Sequence, residues 1–311
     1  MKAFEINVGG KLLDYRVGKN LDLSEVKNFF SKNYSVLEIR QEKRHVVALL
    51  EKNNKNLFLK LSPTEGISAV TQIEYKWNEE FNNSVSRETG FWVPKNIDSG
   101  FYKENLFYII TDYFEGEMLA QRPQKHYTSK IFEEYIKKII GLSEIIQDLP
   151  IHELSEKDFE EYRQWFLAKT VSWFEGIPHE IREKFETEEL LTIVKKGYLI
   201  LKKRARHGDF TPWHMFDLNG NIGLIDGEHA MKNSVEYYDA AYLIQRVYSV
   251  LENPEFAKKI LGMLIERNYN IEKLRILLAA RAVGGFLDES LKEEPNYSAA
   301  SDFKKWVTDL I

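Results

Sequence analysis

No cysteine occurs in the 311 residues. That excludes disulfides, thiolate metal sites, iron–sulfur clusters and a cysteine nucleophile together. Long apolar runs are missing too: no stretch of about 18 uncharged apolar residues is present, which argues against a membrane-spanning helix. Neither sign of charge dominates. With 43 Lys+Arg against 48 Asp+Glu the net charge is -5, which supplies no general attraction to nucleic acid. The opening segment Met1–Asn7 has no long apolar core of the kind a secretory leader carries, so the expectation is a cytoplasmic chain. There is no internal repeat and no low-complexity tract. What is present is ordinary for a folded chain, 43% hydrophobic and 29% charged. The length fits two domains, or one two-lobed unit, at roughly 100–200 residues per domain.

The first third reads as strands. Phe4, Ile6 and Val8 alternate with polar residues, Gly9-Gly10 follows, and Leu13, Tyr15 and Val17 alternate again, a hairpin pattern. Leu21–Phe30 reads as a short helix. The runs Tyr34–Arg40 and His45–Leu50 are joined by Gln41-Glu42-Lys43-Arg44, and a third strand covers Leu57–Leu61. In that strand Leu57, Leu59 and Leu61 share one face, so Phe58 and Lys60 share the other. A lysine on a sheet face beneath apolar neighbours needs an anion. Ile67–Phe81 carries Val70, Ile73, Trp77 and Phe81 at helical spacing. Glu74, beside that apolar stripe, is the expected partner of Lys60, ahead of Glu79 and Glu80. Phe91–Ile97 and Leu106–Thr111 close the region.

From about residue 128 the pattern turns helical. Phe132, Tyr135, Ile139, Leu142 and Ile146 mark one stripe, and Phe159, Tyr162, Phe166 and Val171 a second. A helix is expected near Glu180–Lys203, a strand-like interlude over Met215–Ile225, and helices again from about Asp239. The charge runs Lys202-Lys203-Arg204 and Glu186–Glu189 read as solvated helix ends. The expected organisation is a first domain over 1–112 and a second over 113–311.

The richest stretch is His207-Gly208-Asp209-Phe210-Thr211-Pro212-Trp213-His214-Met215, leading to Gly223-Leu224-Ile225-Asp226-Gly227-Glu228. Between them Asn219-Gly220 signals a two-residue hairpin turn. Such a hairpin would set Met215 opposite Leu224 and His214 opposite Ile225, opening Asp209 and Asp226 into one site. Carboxylates converging on one place repel one another unless a cation joins them, and a hard ion such as Mg²⁺ or Mn²⁺ suits oxygen ligands.

This stretch resembles the catalytic loop and metal segment of aminoglycoside phosphotransferase- and choline kinase-like enzymes, relatives of protein kinases. Tyr108–Glu117 resembles their inter-lobe hinge, and Tyr237-Tyr238-Asp239-Ala240-Ala241 their Tyr-Asp-x-Ala helix start. The resemblance implies an α+β, two-lobed protein-kinase-like fold: an N-terminal antiparallel sheet lobe and a mainly helical C-terminal lobe, with ATP between them under the Lys60 strand. It implies ATP-dependent transfer of the γ-phosphoryl group to a hydroxyl of a small molecule, such as an aminoglycoside, an amino alcohol or a sugar-like compound, with neither nucleic acid nor membrane as partner.

The implied roles fall on individual residues. Asp209 would align the acceptor hydroxyl, Asp226 would hold Mg²⁺, and Lys60, held by Glu74, would contact the α- and β-phosphates. Backbone groups at Asp112, Tyr113 and Phe114 would bind adenine. His207 would brace the loop, Trp213 would wall the acceptor site, and Asp239 would cap the following helix. Two departures stand out. His214 occupies the position of a metal-binding Asn, which favours Mn²⁺ over Mg²⁺ there and leaves Glu228 to supply an oxygen. The loop Gln41–Arg44 has no glycine, so Lys43, Arg44 or His45 would meet phosphate instead. A second reading, a nucleotide-binding pseudokinase acting as regulator or scaffold, rests on His214. A protein kinase fits less well, since no Ala-Pro-Glu segment follows Asp226. Tyr162, Trp165, Phe166, Trp173 and Phe174 are expected as core. Glu160, Glu161 and Asp288 are the acids that a cationic acceptor would call on.

Overall fold

The structure, a computed structural model, describes residues 3–120, 130–150 and 158–310, with side chains from 162 onward in the last span. The expected helix start at 128 and the side chains of Phe159, Glu160 and Glu161 lie outside the described residues.

The chain begins with β1 (Glu5–Val8), β2 (Lys11–Asp14) and α1 (Leu23–Phe30). Next come β3 (Ser35–Glu42), β4 (His45–Lys52), β5 (Lys55–Leu61) and α2 (Glu65–Ser84). Four strands follow, β6 (Phe91–Trp92), β7 (Asn96–Tyr102), β8 (Leu106–Asp112) and β9 (Glu117–Met118). The helices α3 (Lys130–Gln147), α4 (Asp158–Gly176), α5 (His179–Lys184) and α6 (Glu188–Gly197) come before β10 (Lys203–Arg206). The strands β11 (Met215–Leu218), β12 (Asn221–Leu224) and β13 (Met231–Val235) lead to the last helices. These are α7 (Tyr238–Ser249), α8 (Pro254–Glu266), α9 (Ile271–Ser290) and α10 (Tyr297–Thr308).

Two compact units result: a sheet unit of Phe4–Glu117 with Phe216–Ala230, and a helical unit of Met1–Ala3, Met118–Met215 and Met231–Ile311. In the sheet unit, five antiparallel strands run in the order β3-β4-β5-β8-β7. Strand alternation in β5 sends Leu57, Leu59 and Leu61 to one face. There they are buried with Val26 and Phe30, which sit four apart on α1. Asp22 starts that helix by accepting from the backbone of Ser24 and Glu25. The opposite face receives α2, whose Ile67, Val70, Glu74, Trp77 and Phe81 are buried along one stripe. Lys60 therefore lies under α2.

Residues Phe216–Ala230 join this unit through two close approaches. A Cβ on Gly227 would meet Trp77 of α2 at 2.2 Å, and one on Gly116 would meet the Asp217 carbonyl oxygen at 2.2 Å. The expected turn is present, with Asn219 at φ 56 and Gly220 at φ 88, the mirror-image turn that follows strand twist. β12 also pairs in parallel with β6, Ile222 opposite Phe91.

In the helical unit, Phe132, Ile136, Ile139, Ile140, Leu142 and Ile146 bury one stripe of α3. α9 is buried on most of its circumference from Leu274 to Leu287. The single helix expected over Glu180–Lys203 is instead α5, α6 and a 3-10 turn at Tyr198–Ile200. Glu186, at φ 48, breaks the run between α5 and α6. The basic run 202–204, expected as a helix end, leads into β10. That strand pairs antiparallel with β13, Lys203 opposite Val235 and Arg206 opposite Met231.

Candidate active site

In the sheet unit, one ammonium group is ringed by carboxylates. Lys60 Nζ donates to Glu74 at 2.6 Å, to Asp226 at 2.5 Å and to Glu228 at 3.3 Å. Lys60, Glu74 and Glu228 are buried, with Glu228 only 1% exposed. Burial alone would lower the lysine's pKa, but Asp226 and Glu74 outweigh it and the value is raised. Lys60 is therefore charged at neutral pH. Glu79, the rival partner, instead accepts from Asn96 at 2.8 Å.

The carboxylates reach this place through local backbone geometry. Asp226 adopts the left-handed conformation, φ 68 and ψ 47, two residues past the end of β12. That conformation is uncommon for a residue with a Cβ, and such outliers gather at functional sites. The 3-10 turn Gly227–His229 then carries Glu228 inward, allowed by the close approach of Gly227 to Trp77. Asp226, Glu74 and Glu228 present oxygens that all lie within 4.8 Å of one another. This all-oxygen, anionic set fits a hard divalent ion.

Glu228 also accepts from Arg44, whose second terminal nitrogen donates to the Tyr15 carbonyl at 3.3 Å. His45 is buried beside them, Nε2 3.2 Å from Thr71 Oγ1. Burial and the nearby Lys60 and Arg44 charges, opposed by Asp226, hold its pKa well below the ordinary value. His45 is neutral at physiological pH.

At the end of β8, Asp112 still pairs with Leu57. Its amide donates to Lys95 at 3.0 Å and its carboxylate accepts from the Lys95 amide at 2.5 Å. Tyr113 is 43% exposed. The Phe114 ring lies 6.2 Å from Phe216, and a Cβ on Gly223 would meet it at 2.7 Å.

The helical unit holds Asp209 and His214. Asp209 follows Gly208, whose φ of 88 only glycine adopts easily. The loop is fixed from α7. Asp239 accepts from the His207 amide at 2.7 Å and the Gly208 amide at 2.9 Å. Asp239 was expected to cap α7, but it sits inside the first turn, and the cap position is Tyr237, with no side-chain cap bond. Its carboxylate turns to the loop and satisfies two buried backbone donors there. Burial pushes the Asp239 carboxyl up to about 6, against the pull of the two amides and Arg206. His214 turns its ring to its own loop, Nδ1 3.1 Å from the Asp209 carbonyl oxygen and 3.7 Å from the carboxylate.

Sequence reading missed an arginine–aromatic ladder behind this loop. Arg206 lies over Tyr238 at 4.0 Å and over Trp165 at 5.0 Å; Arg281 lies over Tyr242 at 4.1 Å and over Trp173 at 5.0 Å. Trp165 and Trp173 thus carry guanidinium groups besides packing. Arg246 bonds Tyr242 at 2.8 Å and Asp288 at 3.0 Å, and Asp209 adds to the charges that hold its pKa up.

No family model matches the sequence, and no curated protein does. Solved structures do match in fold. Aminoglycoside phosphotransferase APH(4)-Ia is 13% identical, with 93% of this chain and 98% of that one covered at a TM-score of 0.69. A thermostable mutant of that protein, in a ternary complex with AMP-PNP and hygromycin B, matches over 92% and 97% at 13% identity and a TM-score of 0.69. The choline kinase LicA from Streptococcus pneumoniae matches over 92% and 96% at 15% identity and a TM-score of 0.54. At these identities the likeness establishes the architecture: an antiparallel sheet portion and a helical portion of the protein-kinase-like fold.

Proposed function

We propose that this chain is an ATP-dependent phosphotransferase that moves the γ-phosphoryl group to a hydroxyl of a small molecule. The observation that carries the reading is the buried Lys60 ammonium held by Glu74 and Asp226. Three buried or half-buried carboxylates around one lysine are costly to assemble for stability alone, whereas a phosphate site needs such a lysine and such acids. Structures of similar fold that contain AMP-PNP or ADP support the nucleotide.

Each residue then has a task. Lys60 turns its charge to the α- and β-phosphates, and Glu74 keeps it aimed. Backbone groups of Asp112–Phe114 take the adenine edge. Asp226 and Glu228 would hold Mg²⁺, which supplies neutralisation of charge on the phosphate oxygens. Asp209 accepts a hydrogen bond from the acceptor hydroxyl. As the hydroxyl oxygen bonds to the γ-phosphorus, the bond to the β–γ bridging oxygen breaks. ADP departs with the electron pair, and the hydroxyl proton passes to Asp209.

Asp288, one of the acids considered for a polycation, is already held by Arg246 at 3.0 Å, so its charge is compensated.

A coupled assay of ADP release across amino alcohols, sugars and aminoglycosides tests the proposal. The Asp209→Asn variant should retain nucleotide binding and lose turnover by at least about 100-fold, as expected for loss of a positioned base. Equal turnover in the variant contradicts the assignment. Tight nucleotide binding without turnover on any acceptor would favour the pseudokinase reading that His214 motivates.

A further inference from the structure

The turn joining β3 to β4 places Lys43, not glycine, in the left-handed conformation, φ 50. A glycine-rich turn lets backbone amides close on phosphate. Here side chains stand at that position, and three basic ones follow in succession. Lys43 is exposed. His45 is buried, bonded to Thr71 and neutral. Arg44 differs from both.

Its guanidinium is held at two points. One terminal nitrogen donates to Glu228 and the other to the Tyr15 carbonyl, while the group lies 6.0 Å over the Tyr15 ring. Tyr15 follows β2, and its ring rests 5.6 Å from His229. The leading hairpin is itself fastened to α2: a Cβ on Gly66 would meet the Asp14 carbonyl oxygen at 2.9 Å. Glu228 divides its two oxygens, one to Arg44 and one to Lys60. A single buried carboxylate therefore sets the guanidinium and the ammonium side by side. Arg44 remains 26% exposed, and a guanidinium has five N–H donors, of which these contacts use two.

We propose that Arg44 is a phosphate-binding residue of the nucleotide site, positioned by Glu228 and by the backbone of the N-terminal hairpin. It does with a planar fork what glycine-rich turns do with backbone amides, and being held in advance it loses little freedom when phosphate arrives. The hairpin thereby becomes part of the binding apparatus rather than an appendage. This inference rests on the nucleotide reading given above.

The test is calorimetric titration of the full chain with ATP, ADP, AMP and adenosine, in Mg²⁺ and in chelator. Wild type is compared with Arg44→Ala and Arg44→Lys. The alanine variant should bind ATP and ADP about 10- to 100-fold more weakly, the range for a charge-assisted hydrogen bond. Adenosine affinity should stay unchanged, and the loss on ADP should persist in chelator, since the contact is direct. If the alanine variant fails to fold, the lysine variant decides. It retains a cation beside Glu228 but lacks the fork, so it should lose affinity for ATP and not for adenosine. Equal losses on adenosine and ATP, or none on either, overturn the proposal. A wild-type protein that binds no nucleotide overturns the parent reading and this one with it, an outcome distinct from those two.

Discussion

Lys60 shows how much one side chain can be read from its neighbours. Alternation of Leu57, Leu59 and Leu61 puts it on the opposite face of β5, and burial there demands an anion. Glu74 is that anion, at 2.6 Å. Asp226 and Glu228 complete the ring from residues more than 160 positions away. Removing the ammonium leaves three carboxylates facing one another, so Lys60→Ala should destabilise the protein by about 3–5 kcal/mol. Mg²⁺ should recover part of that loss, because an ion takes up the position among the same oxygens and binds only the folded state. Thermal melts with and without Mg²⁺ check this. The variant should gain stability from the metal, and a variant that gains none would show that these oxygens do not hold the ion.

At the scale of elements, the join between α7 and the loop of Asp209 is the sensitive point. Asp239 holds the His207 and Gly208 amides, yet its carboxyl titrates near 6 instead of the ordinary 3.8. The folded-state value is the higher one, so between about pH 4 and 6 the folded chain binds the extra proton. Asp239's contribution to stability is full below that window and is lost as pH rises through it, by an amount on the order of 2–3 kcal/mol. Asp239→Asn removes this titration at the cost of one acceptor. Urea unfolding across pH 4–7 should therefore show the Asn variant gaining on wild type as pH rises. Parallel curves would contradict the assigned protonation.

The same element scale separates what sequence alone could and could not show. The α2 stripe, the alternation in β5 and the Asn219-Gly220 turn are legible because each is a local, periodic or stereochemical signal. β10 and β13 are not, since four- and five-residue strands pairing across 24 intervening positions carry no period of their own. Asp239 looks like a cap from its place before a helix, and only the loop folding back onto α7 gives it other donors. Arg44 was one of three basic candidates. Its pairing with Glu228 spans 184 positions, and no local pattern distinguishes it from Lys43.

Over the whole molecule, the chain leaves the sheet unit after Glu117 and returns to it at Phe216–Ala230. That return carries Asp226 and Glu228 to a lysine laid down in β5. The charged cluster so formed, Lys60 with Glu74, Asp226 and Glu228, lies within one unit. Titration of ATP into wild type and Asp226→Asn, each in Mg²⁺ and in chelator, tests the central claim most directly. The account predicts that wild type binds MgATP and binds more weakly in chelator, while Asp226→Asn loses the metal dependence. A wild-type chain that binds ATP in neither condition, or an Asn variant with an unchanged response to Mg²⁺, would contradict it.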